Sequence, residues 1–191
     1  MPTVTGLRDD RRGRVAVELD GSAWRTLPVD VVVRAGLSEG RTLDRPALRL
    51  LRRELRRAEA LAVAGRALRA RDLSAQRLAE RLAGAAVAPA AVAESLDLLA
   101  GAGLVDDGRF ARGRAQALAE RGYGDAAIEH HLGRQGVAGE LVRAALAELP
   151  DELERARKLV ERRGVGVRTA RYLASKGFGE EAVQAAAGVE G

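Results

Sequence analysis

The sequence predicts a mainly α protein: tandem three-helix repeats, stacked as an elongated, right-handed or solenoid-like array, behind a small N-terminal β-hairpin extension. Three observations point there. One apolar spacing occurs three times, as Leu82, Val87, Val92 and Leu96, as Leu132, Val137, Val142 and Leu146, and as Leu173, Phe178, Val183 and Ala187. Each set steps by 5, 5 and 4 residues, the pattern made by a helix tail, a short break and a new helix with its own i, i+4 pair. Breakers stand where that spacing needs them, among them Gly101, Gly122, Gly136, Pro150, Gly164 and Gly177. Two-residue alternation appears in Val15, Val17 and Leu19, ahead of Asp20-Gly21. Each copy is too small to bury its own apolar face, so neighbouring copies must stack.

In chain order, residues Met1 to Arg14 are polar, with Gly6 and Gly13, and are expected to fray. Asp20-Gly21 between the Val15–Leu19 run and Ala23, Trp24 and Leu27 is a hairpin signal, because both centres of a type I′ turn need positive φ. A two-stranded ribbon is marginal alone, so Trp24 is expected to pack on the following helices as a core anchor. Pro28 to Ala35 reads as a short helix stopped by Gly36, with Ser38-Glu39-Gly40 as a turn. Asp44 reads as an N-cap with Pro46 in the first turn of a long helix to about Ala70.

The repeats then follow. The first holds Leu61–Ala70, Ala75–Leu82 behind the cap Ser74, and Pro89–Ala100. In the second, Asp106-Asp107 opens a helix to about Arg121, followed by Asp125–Gln135 and Gly139–Leu149. The third holds Asp151–Arg163, Val167–Lys176 and Glu180–Ala187, a short alanine-rich helix suited to a terminal cap. The expected divisions are 1–45 (extension), 46–105 (basic helix and first repeat), 106–150 (second repeat) and 151–191 (third repeat).

Charge is concentrated. Between Arg49 and Arg71 eight arginines stand against Glu54 and Glu59, a local excess of six in a chain whose net charge is +5. Arg49, Arg52, Arg53, Arg56 and Arg57 recur at i, i+3, i+4, i+7 and i+8, opposite an apolar series Leu48, Leu51, Leu55 and Ala58. Like charges on one stripe repel and lower stability unless an anionic surface meets them, so the stripe is either a solvated helix face or a binding face. The other cations are scattered: Arg109, Arg112, Arg114 and Arg121 in the second repeat, and Arg162, Arg163, Arg168, Arg171 and Lys176 in the third. Tyr123 and Tyr172 are read as partly core and partly exposed, outside any aromatic platform.

Nothing in the pattern asks for a catalytic centre, a cofactor or a metal. With no cysteine, disulfides, thiolate chemistry and cysteine zinc sites are excluded. No Gly-x-x-x-x-Gly-Lys loop is present, so nucleotide hydrolysis is not expected. His130 and His131 are adjacent and on a helix point about 100° apart, poor geometry for sharing one metal. Asp106-Asp107 precede a helix, where acids cap and meet the positive dipole end. No apolar run approaches the ~18 residues of a membrane span and no apolar leader follows Met1, so a soluble, cytoplasmic protein is expected; it is also read as a monomer.

Three segments carry a resemblance. They are Gly103-Leu104-Val105-Asp106-Asp107-Gly108-Arg109-Phe110-Ala111; Arg121-Gly122-Tyr123-Gly124 with Ile128 and Leu132 before Gln135-Gly136-Val137; and Arg171-Tyr172-Leu173-Ala174-Ser175-Lys176-Gly177-Phe178. In this order and around this repeat the chain resembles the RecX regulatory proteins, modulators of the RecA recombinase. The first repeat fits more loosely, with Arg69-Ala70-Arg71-Asp72-Leu73-Ser74 where family members usually show a basic-Pro-basic-Ser turn, and Gly108 stands where a glutamate is common. The resemblance implies a non-enzymatic regulator that docks in the groove of a RecA filament on single-stranded DNA and restrains ATP hydrolysis and strand exchange. The partners implied are RecA and single-stranded DNA, with double-stranded DNA as a further ligand and no membrane. The alternatives are a helical-repeat DNA-binding protein independent of RecA and a scaffold that binds only protein. On any DNA-binding reading the arginine stripe ranks first, followed by Arg109, Arg112, Arg121, Tyr123, Arg168, Arg171 and Lys176.

Overall fold

A computed structural model describes residues 1–10 and 13–188. The chain forms two compact units: Met1–Ala70 with Ala79–Leu98, and Arg71–Leu78 with the chain from Leu99 onward. The first unit opens with an antiparallel sheet of β1 (Val4–Asp10), β2 (Arg14–Leu19) and β3 (Ser22–Pro28), in that spatial order. Asp20 (φ 50°) and Gly21 (φ 78°) make the expected two-residue turn, with Leu19 opposite Ser22.

Two expectations are corrected here. The stretch expected to fray supplies β1, while Arg11 and Arg12 within it lie outside the described residues. Backbone pairing overrides the polar composition: Val4 donates to Arg41 O (2.9 Å) and accepts from the Gly40 N–H (2.8 Å), and Leu43 N–H donates to Pro2 O (2.8 Å). Trp24, expected as a core anchor, is 43% exposed. Val15 faces Leu27 and Val17 faces Arg25, so strand alternation sets Trp24 on the face of β3 opposite the buried Leu27, and Glu18 facing Ala23 makes Trp24 the extra residue of a β-bulge. Leu27, Leu43 and Leu51, with Val4, Val17 and Val31, fill the core instead.

The short helix α1 (Val29–Arg34) buries Val31 and Val32 in that core and leaves Val29 and Val33 exposed. Asp44 caps α2 (Arg45–Ala70), accepting from the Ala47 N–H at 2.8 Å. The line that α2 buries runs Ala47, Leu51, Glu54, Arg57, Ala60, Ala64 and Ala67. Alanine dominates it because a small side chain lets a neighbour approach closely. Next come α3 (Ala75–Gly84) and α4 (Pro89–Gly101).

In the second unit, α5 (Asp107–Glu120), α6 (Asp125–Arg134) and α7 (Gly139–Ala147) enclose Ala111, Ala115, Leu118, Ile128, Leu132, Val137, Val142 and Ala145. The third repeat, α8 (Glu152–Arg163), α9 (Val167–Ser175) and α10 (Glu180–Ala187), encloses Ala156, Ala170, Leu173, Phe178, Ala182 and Ala186. Residues 189–191, the end of the expected third repeat, lie outside the described residues. Among the described residues no helix is long and apolar enough to cross a membrane.

The spacing seen in the sequence has one physical cause in all three copies. Leu82, Leu132 and Leu173 are fully buried, and the carbonyl of each accepts the N–H of its partner five residues on: Val87 (3.1 Å), Val137 (3.2 Å) and Phe178 (3.2 Å). This six-to-one bond closes a helix through a left-handed residue. That residue is Gly136 (φ 77°) and Gly177 (φ 77°) in the later copies and Ala86 (φ 58°) in the first. A non-glycine residue in this region is strained by its Cβ. Ala86→Gly is therefore expected to raise stability by about 0.5–1 kcal/mol, read as a higher urea midpoint at unchanged slope; a lower midpoint would show that the helix end tolerates the alanine without strain.

The second helices of successive repeats meet end to end. The Gly124 N–H, at the start of α6, donates to Lys176 O at the end of α9 (2.9 Å), and Ala126 N–H donates to Gly177 O (3.2 Å). The start of α3 repeats the device against the end of α6: Ser74 Oγ donates to Gln135 O, and Arg77 donates to Arg134 O and to Gln135 Oε1 (3.3 Å for the last). At the first joint orphan amides of one helix start meet orphan carbonyls of another helix end, and at the second joint side chains of the helix start supply the donors. Carboxylates complete both joints: Asp107 accepts from Ala75 N–H (2.8 Å), and Glu152 from Asp125 N–H (2.7 Å) and Gly179 N–H (3.1 Å).

Candidate functional site

In the first unit the arginine stripe holds for four of its five members. Arg49, Arg52, Arg53 and Arg56 are exposed on α2 and line a groove of about 330 Å³ whose other walls are Ala88, Ala90, Ala91 and Glu94. The single carboxylate there, Glu94, lies 3.0 Å from Arg53 and raises the Arg53 pKa further above its ordinary value, through that hydrogen bond and charge. The alanines keep that wall of the groove low, so the guanidinium groups stand above it.

Arg57 is corrected out of the stripe. Eight residues at about 100° each carry it ~80° round from Arg49, to the stripe's edge. There it is 7% exposed and pairs at 3.0 Å with Glu54, itself buried. Charge so enclosed is held by its partner, and is no longer available to an external anion.

The scattered cations of the later repeats fall into two groups. Arg109 reaches back to the loop ahead of α5, donating to Gly103 O (3.0 Å), and Arg168 and Arg171 are exposed on α9. Arg112 and Arg121 instead reach one cleft of about 720 Å³ within the second unit, where Lys158, Arg162 and Arg163 of α8 join them. Arg163 lies over the Tyr172 ring, 3.9 Å from its centroid, and Lys176 sits 4.2 Å from the centroid of Tyr123. Tyr123 and Tyr172 are thus half-buried cation supports. Lys158 and Tyr172 belong to a basic cleft that sequence reasoning did not assemble; the one signal was the Lys158, Arg162 pair at i, i+4.

Arg155, also on the cleft wall, is committed elsewhere. Its guanidinium donates to Tyr123 O (2.8 Å), to Pro150 O (3.0 Å) and to Asp125. Burial pushes the Asp125 carboxyl above its ordinary value, opposed by Arg155. Asp106 caps α5 as expected, and the hydrogen bond from Arg109 N–H holds its carboxyl below the ordinary range.

His131 is tied to α5 through its ring. Arg114 Nε donates to His131 Nε2 at 2.9 Å, which requires that nitrogen to be unprotonated. Burial, then Arg114, Arg134 and Arg121, lower its pKa below 6.5. A histidine kept neutral by the fold contributes stability that is present above 6.5 and is lost as pH falls through the folded value. The second unit is therefore expected to melt at lower temperature at pH 5 than at pH 7, with the difference reduced in His131→Gln; an equal difference in the variant would assign the acid sensitivity to other groups. Among the described residues no cluster of three or more His, Cys, Asp or Glu could hold a metal.

Residues 106–146 match the family model for the second three-helix domain of RecX. Regulatory protein RecX of Halorhodospira halophila is 36% identical over 132 residues, covering 64% of this chain and 82% of that protein. The protein of the same name from Chromohalobacter salexigens is 37% identical over 128 residues, covering 62% and 84%. In fold, a crystal structure of regulatory protein RecX superposes with a TM-score of 0.81 over 96% of this chain and 98% of its own, at 21% identity. The crystal structure of RecX from Lactobacillus salivarius gives 0.59 over 69% and 94%, at 17% identity. The three-helix repeats, the terminal sheet and these relatives lead to one assignment: the chain belongs to the RecX family of regulatory proteins.

Proposed function

We propose that the protein is a non-enzymatic regulator that lies on a RecA filament assembled on single-stranded DNA and restrains its ATP hydrolysis and strand exchange. The observation that supports this most is the groove of α2, where Arg49, Arg52, Arg53 and Arg56 face solvent with Glu94 as the one carboxylate among them. Four guanidinium groups so placed repel one another until an anionic polymer meets them, and their planar forks suit phosphate and carboxylate alike. A filament offers both along a repeating track, so weak contacts from several modules add through effective concentration. No membrane, metal or cofactor enters this reading; the protein acts as a cytoplasmic monomer in recombination, DNA repair and the SOS response.

The test is RecA ATPase on single-stranded DNA with the regulator added at concentrations that leave bare DNA largely uncoated. Inhibition is expected there. Inhibition that appears only when the DNA is saturated would favour a DNA-binding repeat protein that does not need RecA.

A further inference from the structure

We propose that the cleft between α5 and α8 in the second unit is a binding site for single-stranded nucleic acid, which grips successive phosphates through Arg112, Arg121, Lys158, Arg162 and Arg163. It deepens the functional reading above and rests on it for the presence of such a strand, but it concerns a surface separate from the α2 stripe.

Charge comes first. Among the described residues Arg121, Lys158, Arg162 and Arg163 form no ion pair, and Arg112 has only a loose one, 3.9 Å from the exposed Glu148. Glu120 is the other carboxylate on the wall. These cations are brought together from the start and end of α5 and the last turns of α8, so the attraction is spread along the cleft. One free phosphate group could not satisfy them, whereas a chain bearing a phosphate at every unit could.

Shape and polarity then choose the kind of chain. Leu149, Pro150, Leu159 and Phe178 line the same cleft, giving apolar surface beside the cations. A nucleotide strand offers that combination: charged backbone along one edge, flat apolar bases along the other. Arg163 stacked on Tyr172 is pre-organised, with its N–H edge free to donate while its face is covered. At about 720 Å³ the cleft is of a size that takes one drug-sized ligand, room for ~2 nucleotides of a single strand. A purely acidic chain such as polyglutamate would satisfy the charges and leave the apolar wall unused.

The experiment is fluorescence anisotropy of a labelled oligothymidylate with the full chain and no recombinase, so its result does not depend on RecA. Arg121→Gln/Arg162→Gln/Arg163→Gln is expected to weaken binding at least tenfold at low salt and to flatten the slope of log K against log salt by up to ~1.4, the share of two phosphates. Because Arg163 also covers Tyr172, the double variant Arg121→Gln/Arg162→Gln, altering two exposed side chains, is measured alongside and is expected to bind about fivefold more weakly with an unchanged melting temperature. Affinity within twofold of wild type and an unchanged slope in both variants overturn the proposal. Unlabelled oligothymidylate should displace the probe; equal displacement by polyglutamate or by a nucleoside triphosphate at matched charge also overturns it. Cleft-dependent binding to bare DNA without RecA inhibition would keep this site and remove the filament reading.

Discussion

Gly124→Ala is expected to lower the stability of the second unit by about 3 kcal/mol. A Cβ at this position would lie 2.3 Å from Gly177 O and from Phe178 N, both backbone atoms that no rotamer change can move. The two segments would have to separate, stretching the hydrogen bond from Gly124 N–H to Lys176 O, now 2.9 Å, and that from Ala126 N–H to Gly177 O. Overpacking of this kind costs about 1–3 kcal/mol, and each weakened buried hydrogen bond about 1 more. Gly133→Ala is the matched control in the same helix: its Cβ meets nothing within 4 Å, and replacing a helical glycine there should add about 0.5–1 kcal/mol. Urea denaturation separates the two, and a Gly124→Ala midpoint at or above that of wild type would mean that the joint between α6 and α9 is not close-packed.

Replacing Arg49, Arg52, Arg53 and Arg56 together with glutamine is expected to weaken binding to a filament on single-stranded DNA by about 10²–10³-fold at low salt, with the fold unchanged. Every phosphate that the protein ceases to neutralise takes about 0.7 off the slope of log K against log salt, so four of them would flatten it by up to ~3. Relief of repulsion along the stripe should leave the melting temperature level or slightly raised, because exposed like charges at i, i+4 destabilise a helix by a few tenths of a kcal/mol. Arg53 sits apart in this set: its pair with Glu94 means that Arg53→Gln alone should weaken binding less than Arg52→Gln. Binding by titration across a salt series measures both quantities, and an unchanged slope in the quadruple variant would reduce the stripe to a solvated helix face.

The helices are legible in the sequence because their signals are local. Asp44, Ser74 and Asp106 cap the helices their positions suggest, accepting from Ala47, Arg77 and Arg109, and Asp151, placed in the sequence as the first residue of its helix, is that helix's cap. A cap needs only its own turn, so its meaning survives whatever packs around it. The features that escape a sequence reading depend on partners distant along the chain. Val4–Asp10 looks too polar for a strand, and becomes one because β2 and the Gly40–Arg41 turn satisfy its backbone. Trp24 joins the apolar run with Leu27 on paper, yet the register that faces Leu27 with Val15 sets Trp24 on the other side of the sheet. Arg57 shares the spacing of the stripe, yet the angular drift of the helix carries it to Glu54.

By itself the sequence determined the number of repeats, the ends of their helices and the family, since each depends on spacings of a few residues that recur three times. Only the tertiary structure decided which cations could act together. Arg112 on α5 and Arg121 at its end meet Lys158, Arg162 and Arg163 of α8 in one cleft although α6 and α7 separate them along the chain. Coulomb attraction to a ligand depends on distance in space, and distance along the chain says little about it.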